Sequence, residues 1–237
     1  MGITPHVISA SEYEERRHAL ELCSWINKKL EAFEKSGVFD ALYIERKGAG
    51  LDNPAKKIVE EAIPLSRLAL NLSQPGIEVF VTLHHGNQPF DATFSVEGFM
   101  KGSARTFPVE VTSAMFAENH VRREVLAKRG YVSLIGPISR TKDGEIYEGE
   151  DLVNLNELEQ KYIRLMFAAL MKKLDKNYPE DVSILVFLQE FGTLSMYSRN
   201  RHIRQTRKHL NEHDIKRQVY YGYQFNNAID PVAWYEL

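Results

Sequence analysis

The chain has 237 residues, 43% of them hydrophobic and 26% charged. It is average in composition for a globular protein and large enough to bury about 70–75% of its unfolded surface. Its 30 Lys and Arg against 32 Asp and Glu leave a net charge of −2, which excludes a globally basic nucleic-acid coat but leaves room for a local basic patch. The single cysteine, Cys23, excludes an internal disulfide framework and a Cys-rich zinc site. No apolar run approaches the ~20 residues of a membrane span. Residues 1–6 carry no apolar signal core, and His6 breaks the myristoylation pattern. The expectation is a soluble, cytoplasmic protein with no membrane partner.

No internal repeat interrupts a pass along the chain. Residues 11–35 are predicted to be one helix: Ser11 caps it, Glu14 is the capping-box partner, and Leu20, Trp25, Leu30 and Phe33 form its apolar face. Residues 36–53, with Gly48 and Gly50, read as a strand or loop connection. A second helix starts at Asn53 and Pro54, a good N-cap and a good first residue. It carries Ile58, Val59, Ile63, Leu65, Leu68 and Leu70, is expected to kink at Pro64, and ends at residues 73–76.

Residues 77–84, 90–96 and 107–114 are β-branched and aromatic and read as three strands separated by Gly, Asn and Pro. A short helix over 120–128 closes at Gly130. Residues 131–138 read as a fourth strand and 139–149 as a polar turn. Residues 155–174 form an amphipathic helix. Residues 182–189 are almost uniformly apolar, as in a strand buried on both faces. A basic segment, 199–208, precedes a final strand over 218–225. The order predicts an α/β domain with a mixed central sheet flanked by helices. Residues 53–237 form one compact unit, and residues 1–52 an N-terminal helical extension.

Two acids stand out. Asp91 follows Pro89 and Phe90 at the start of one strand. Glu110 lies between Val109 and Val111 inside the next. Burying a carboxylate is costly unless it is paired, hydrogen-bonded or bound to a cation. Alternation places Glu110 and Thr112 on one face and Val109 and Val111 on the other. If neighbouring strands bring Asp91 beside Glu110, the two repel unless a hard divalent cation such as Mg²⁺ lies between them. The ordinary alternative for each is an edge residue or a salt-bridge partner.

The order helix, three strands, helix, strand, with Asp91 on the second strand and Glu110-Val111-Thr112 on the third, resembles the PD-(D/E)xK (restriction-endonuclease-like) nuclease superfamily. The resemblance covers about residues 53–190. It implies a metal-dependent nuclease that hydrolyses phosphodiester bonds in DNA with a Mg²⁺- or Mn²⁺-activated water. Asp91, Glu110 and the Val111 carbonyl would hold the metal. Glu61, preferred over its neighbour Glu60 because Ile58, Leu65 and Leu68 share its stripe, would be the helix acid. Thr112 stands where the family has lysine, and a hydroxyl supplies no positive charge. Lys172, and after it Lys161, are the candidates to replace it from the helix over 155–174, with Lys101 a weaker third. The ordinary alternative for these lysines is a solvated helix face. The departure also opens a second reading, a catalytically inactive nuclease fold that acts as a nucleic-acid-binding or protein-interaction module. The resemblance further implies a homodimer, or partner proteins of a defence or mobile-element system.

Arg199, Arg201, Arg204, Arg207 and Lys208 are the densest basic run and the candidate phosphate contacts. Tyr197, Tyr220, Tyr221, Tyr223 and Phe225 either stack bases or complete a core strand. His84 and His85 point to opposite faces, which argues against a two-His metal site. His120, Arg122 and Arg123 open the helix after the third strand, and the two arginines read as surface residues. Ser113 lacks triad spacing, and no glycine-rich phosphate loop is present.

Overall fold

The computed structural model describes residues 8–36, 54–86, 88–98, 104–114, 117–132, 137–149, 154–176, 178–189, 196–224 and 233–236. The helix predicted over residues 11–35 is divided into one helical turn, α1 (Ala10–Tyr13), a short strand, β1 (Arg17–His18), and a long helix, α2 (Ala19–Lys35). The buried Arg17 guanidinium donates to the carbonyls of Glu12, Tyr13 and Glu15, taking the place of the next helical turn. Ser9, not Ser11, caps α1. His18 caps α2 in a reciprocal capping box with Glu21. The restart changes the helical phase. Ala19, Leu22, Ile26 and Phe33 are buried, while Leu20, expected on the apolar face, is 65% exposed.

Pro54–Lys57, Ile58–Ala62 and Ile63–Leu72 run on as one helix, α3, whose middle segment is π-helical. The disturbance expected at Pro64 takes this form. Proline has no N–H for the carbonyl four residues back, and its ring crowds that carbonyl. The chain widens instead, with Ile63 N–H donating to the Ile58 carbonyl. The Glu60 carbonyl, which an ordinary residue 64 would have bonded, accepts from the Ser113 hydroxyl at 3.4 Å. Asn53 lies outside the described residues.

The strands β2 (Ile77–Leu83), β3 (Ala92–Gly98) and β4 (Arg105–Ala114) form an antiparallel meander. After helix α4 (Ala117–Arg129) the chain forms a small separate hairpin, β5 (Ile138–Arg140) and β6 (Ile146–Glu148). The hairpin takes the place of the polar turn expected over 139–149, while residues 133–136 of the fourth strand expected over 131–138 lie outside the described residues. Ile138 packs on Val121 and Val125 of α4 in a satellite core. The buried Glu124 is held by Arg140 and Lys128. Helix α5 (Leu155–Leu174), strand β7 (Ser183–Gln189), helix α6 (Met196–Glu212) and strands β8 (Val219–Gln224) and β9 (Ala233–Glu236) complete the fold.

The main sheet has the order β1-β2-β3-β4-β7-β8-β9. The β4–β7 and β7–β8 pairs are parallel and the rest antiparallel. The molecule is therefore a mixed α/β domain whose sheet is flanked by helices. On one face α2 and α3 bury Leu22, Ile26, Phe33, Leu65 and Leu68 against Val79, Val81, Phe94, Val109 and Val111. On the other, α5 and α6 bury Tyr162, Met166, Leu170, Ile203 and Leu210 against Ile184, Val186, Leu188 and Tyr221. Residues 8–36, read from sequence as an extension, contribute to the first core. No helix among the described residues is long and apolar enough to cross a membrane.

Because Leu22 and Phe33 are fully buried in the first core, Leu22→Ala and Phe33→Ala should each cost about 2–5 kcal/mol of unfolding free energy. Leu20→Ala should change it by less than about 0.5 kcal/mol. Urea denaturation distinguishes these values from the uniformly small ones expected of a loosely attached extension.

Candidate active site

The regular pairing of β3 with β4 stops at Ala92 opposite Val109. Asp91 N–H still donates to the Val109 carbonyl at 3.0 Å. The next donor on that edge, Val111 N–H, goes to the Asp91 side chain, with Oδ2 accepting at 2.7 Å. A carboxylate thus makes the last rung of the ladder as the two strands part. The N–H and C=O of one strand residue leave the same edge, so the Val111 carbonyl is directed to the Asp91 side as well. Ala92 and Val109 point into the α2–α3 core. Glu110, the next residue of β4, therefore faces the opposite way, while Asp91, just outside β3, is held to β4 by its bonds to Val109 and Val111 and lies in the field of both Glu110 and Glu61.

Glu61 approaches from the π-helical segment of α3. Its carboxylate accepts from the Tyr13 hydroxyl at a long 3.5 Å. Burial raises its pKa, attraction from Lys57 acts the other way, and repulsion from Glu60 and Glu110 adds to the rise. Asp91 is pushed up to about 7 by burial first, then by the charges of Glu110 and Glu61. The Val111 N–H and the Lys173 ammonium only partly offset this. Glu60 turns away and pairs with Lys56 at 3.8 Å.

Glu110 is the best-neutralised of the three acids. Its Oε1 accepts from the Lys173 ammonium and from the Tyr178 hydroxyl, the latter at 2.8 Å. Burial and the Glu110 contact raise the Tyr178 phenol pKa. The ammonium at Glu110 is that of Lys173, whereas Lys172 and Lys161 are solvent-exposed. The buried stripe Tyr162, Met166 and Leu170 explains this. A step of three residues from Leu170 stays on that face and reaches Lys173, whereas a step of two leaves it. The lysine that α5 brings to Glu110 is thus one position on from the expected Lys172, and the stripe marks it. Tyr178, in the loop between α5 and β7, had no signal in the sequence. Thr112 is half-buried, two residues beyond Glu110 on the same face.

The basic run over 199–208 lies on α6, which packs over β8. Helix α5 therefore stands between that run and the gap where β3 and β4 part, so the structure does not bring the two together. Arg199 is buried and Arg201 half-buried, while Arg204, Arg207 and Lys208 are exposed. A buried guanidinium is not placed to meet a phosphate. Lys208 pairs with Glu212 at 3.6 Å. Tyr220 and Tyr221 are buried on β8 and complete the cores rather than offering stacking surfaces. Arg122, expected at the surface, is buried. His84 bonds Thr93 at 2.8 Å, while His85 packs edge-on to Tyr13. Lys101 and Phe225 lie outside the described residues, as do the side chains of His120, Arg123, Tyr197 and Tyr223.

Among the described residues no group of three or more His, Cys, Asp or Glu side chains is close enough to form a metal-holding cluster. Set against family models, curated proteins and solved structures, the chain matches none of them.

The raised Asp91 pKa predicts a pH-dependent stability. An unfolded Asp titrates near 3.9 and the folded Asp91 near about 7. Between those values the folded state holds an extra proton, so stability should fall as pH rises from about 4 to about 7. Asp91→Asn keeps an oxygen for Val111 N–H and removes the charge. In denaturant melts without divalent cation it should match the wild type near pH 4 and exceed it by about 2–4 kcal/mol at pH 7.5. Parallel pH profiles for the two proteins would show that Asp91 ionises normally.

Proposed function

We propose that this chain is a divalent-cation-dependent phosphodiesterase of the restriction-endonuclease-like type that acts on DNA, with Lys173 in the role of the lysine absent at Thr112. One observation carries the reading. A helix acid, a strand-end acid and a mid-strand acid lie in one another's field, with the Lys173 ammonium on the last of them, at the point where β3 and β4 separate. Purely structural acids are seldom gathered in this way, because like charges in a half-buried site work against the fold.

The donor set suits Mg²⁺ or Mn²⁺. Asp91, Glu110 and the Val111 carbonyl offer hard oxygens, and magnesium is commonly held by one or two carboxylates rather than by a closed protein cage. When bound, such an ion supplies Lewis acidity to a phosphate and lowers the pKa of water. The remaining work falls to the chain itself. Val111 N–H fixes Asp91. Lys173, carried on the rigid last turns of α5, places a positive charge beside the acids, where it offsets charge developing on a phosphate. Glu61, its pKa raised, is the group placed to accept a proton from an attacking water.

A second reading, a catalytically inactive protein of the same fold, is favoured by the contact that ties Lys173 to Glu110 and by the lack of a three-residue metal cluster among the described residues. Cleavage assays on plasmid and oligonucleotide DNA with Mg²⁺, Mn²⁺ or chelator separate the two. The active reading expects cation-dependent cleavage, lowered on the order of 10²–10⁴-fold by Asp91→Asn, Glu110→Gln or Lys173→Met, and unchanged by Lys172→Met or Lys161→Met. The inactive reading expects no cleavage with any cation. Loss of cleavage in Lys172→Met with retention in Lys173→Met would refute the proposed assignment.

A further inference from the structure

Glu110 accepts from two donors on the same oxygen, and the second of them, Tyr178, is held from behind. Arg217, just before β8, donates through Nη2 to the Tyr178 carbonyl at 3.1 Å. Its guanidinium carbon stands 5.9 Å from the centre of the Tyr178 ring, and the Lys176 ammonium stands 5.7 Å from it. The loop between α5 and β7 is thus tied to the strand two places across the sheet from β4. Its one hydroxyl is delivered to Glu110 Oε1 at 2.8 Å. Oε2, the other oxygen of Glu110, takes neither donor. With Oε1 pinned by an ammonium and a phenol, the carboxylate cannot rotate freely, and Oε2 is the oxygen left for a ligand.

We infer that Tyr178 is a positioning residue: it orients Glu110 so that Oε2 is available to a divalent cation, and Arg217 acts through it by fixing the loop. This rests on the assignment of Glu110 as a cation ligand. Hydrogen-bond partners of ligating carboxylates set ligand orientation, and their removal commonly weakens metal binding by about 10–100-fold. The tyrosine also keeps Oε1 satisfied by a neutral donor, so Lys173 is not the only group holding it.

The test is Mn²⁺ titration calorimetry on the full chain, with denaturation midpoints taken in chelator. Tyr178→Phe keeps the ring and its contacts with Lys176 and Arg217 and removes only the hydroxyl. It should weaken Mn²⁺ binding by about tenfold or more at a temperature where its chelator melt shows the protein fully folded. Arg217→Met should weaken Mn²⁺ binding in the same direction by a smaller factor. In the double variant with Tyr178→Phe, Arg217→Met should add little further loss, because both act through one hydroxyl. Wild-type Mn²⁺ affinity in a folded Tyr178→Phe protein would overturn the inference. So would full additivity of the two variants. Glu110→Gln separates this from failure of the site itself. If Glu110→Gln binds Mn²⁺ as the wild type does, Glu110 is no cation ligand and the functional reading falls with the inference. If Glu110→Gln abolishes binding and Tyr178→Phe leaves it intact, only the role of Tyr178 falls.

Discussion

Glu61, Asp91 and Glu110 are half-buried or buried in one another's electrostatic field, and the contacts around them have to offset both burial and repulsion. Each acid is carried by a different element, so none can be relieved by a local change of backbone. The structure answers each one separately. Asp91 receives a backbone N–H that a continuing β3 would otherwise have bonded. Glu110 receives an ammonium and a phenol from the end of α5 and the loop after it. Glu61 receives the Tyr13 hydroxyl and the field of Lys57. The answers are incomplete, since burial and repulsion still push Asp91 and Glu61 above the ordinary carboxylate range.

The supporting features read as consequences of holding these acids in place. The π-helical segment and Pro64 set the approach of α3. The Ser113 hydroxyl, two residues beyond Val111, ties the carbonyl released by the proline back to β4. Single-turn π segments of this kind are common at functional sites because they re-aim one side chain without breaking the helix. The N-terminal segment has a similar role. Arg17 ends α1 and starts α2, and Tyr13, buried beside Trp25, supplies a hydroxyl to Glu61. Residues 8–36 therefore belong both to the core and to the edge of the site.

Basic residues are spread over the face that carries α5 and α6, with Lys161, Arg164 and Lys172 exposed on α5 itself. Lys173, Lys176 and Arg217 gather around Tyr178 at the carboxylates, while Arg204, Arg207 and Lys208 are exposed on α6, on the far side of α5. The sheet next to the acids is covered differently again. On β2 and β3 the side chains opposite the α2–α3 core, among them Phe80, Thr82, Thr93 and Ser95, are only half-buried. The carboxylates thus lie at the border between a helix-covered and a more open part of one sheet face.

Local pattern was enough to read much of this chain. Period-two alternation placed β2, β3 and β4, and the uniform apolar run placed β7, because each signal is carried by adjacent residues whose burial is decided strand by strand. The same alternation put Glu110 on the face opposite Val109 and Val111. The shared stripe of Ile58, Leu65 and Leu68 singled out Glu61 rather than Glu60, although the segment proved π-helical. What the pattern could not contain was anything decided by distant partners. The division of the first helix depends on one buried guanidinium collecting carbonyls. The β5–β6 hairpin depends on α4 offering Val121 and Val125 to Ile138. The lysine that meets Glu110 is Lys173 rather than Lys172 because a helix can turn only one side toward the sheet. Tyr178 reaches Glu110 from 68 residues along the chain. Sequence determines which residues seek burial and which resist it, and only tertiary packing decides which charges must then face one another.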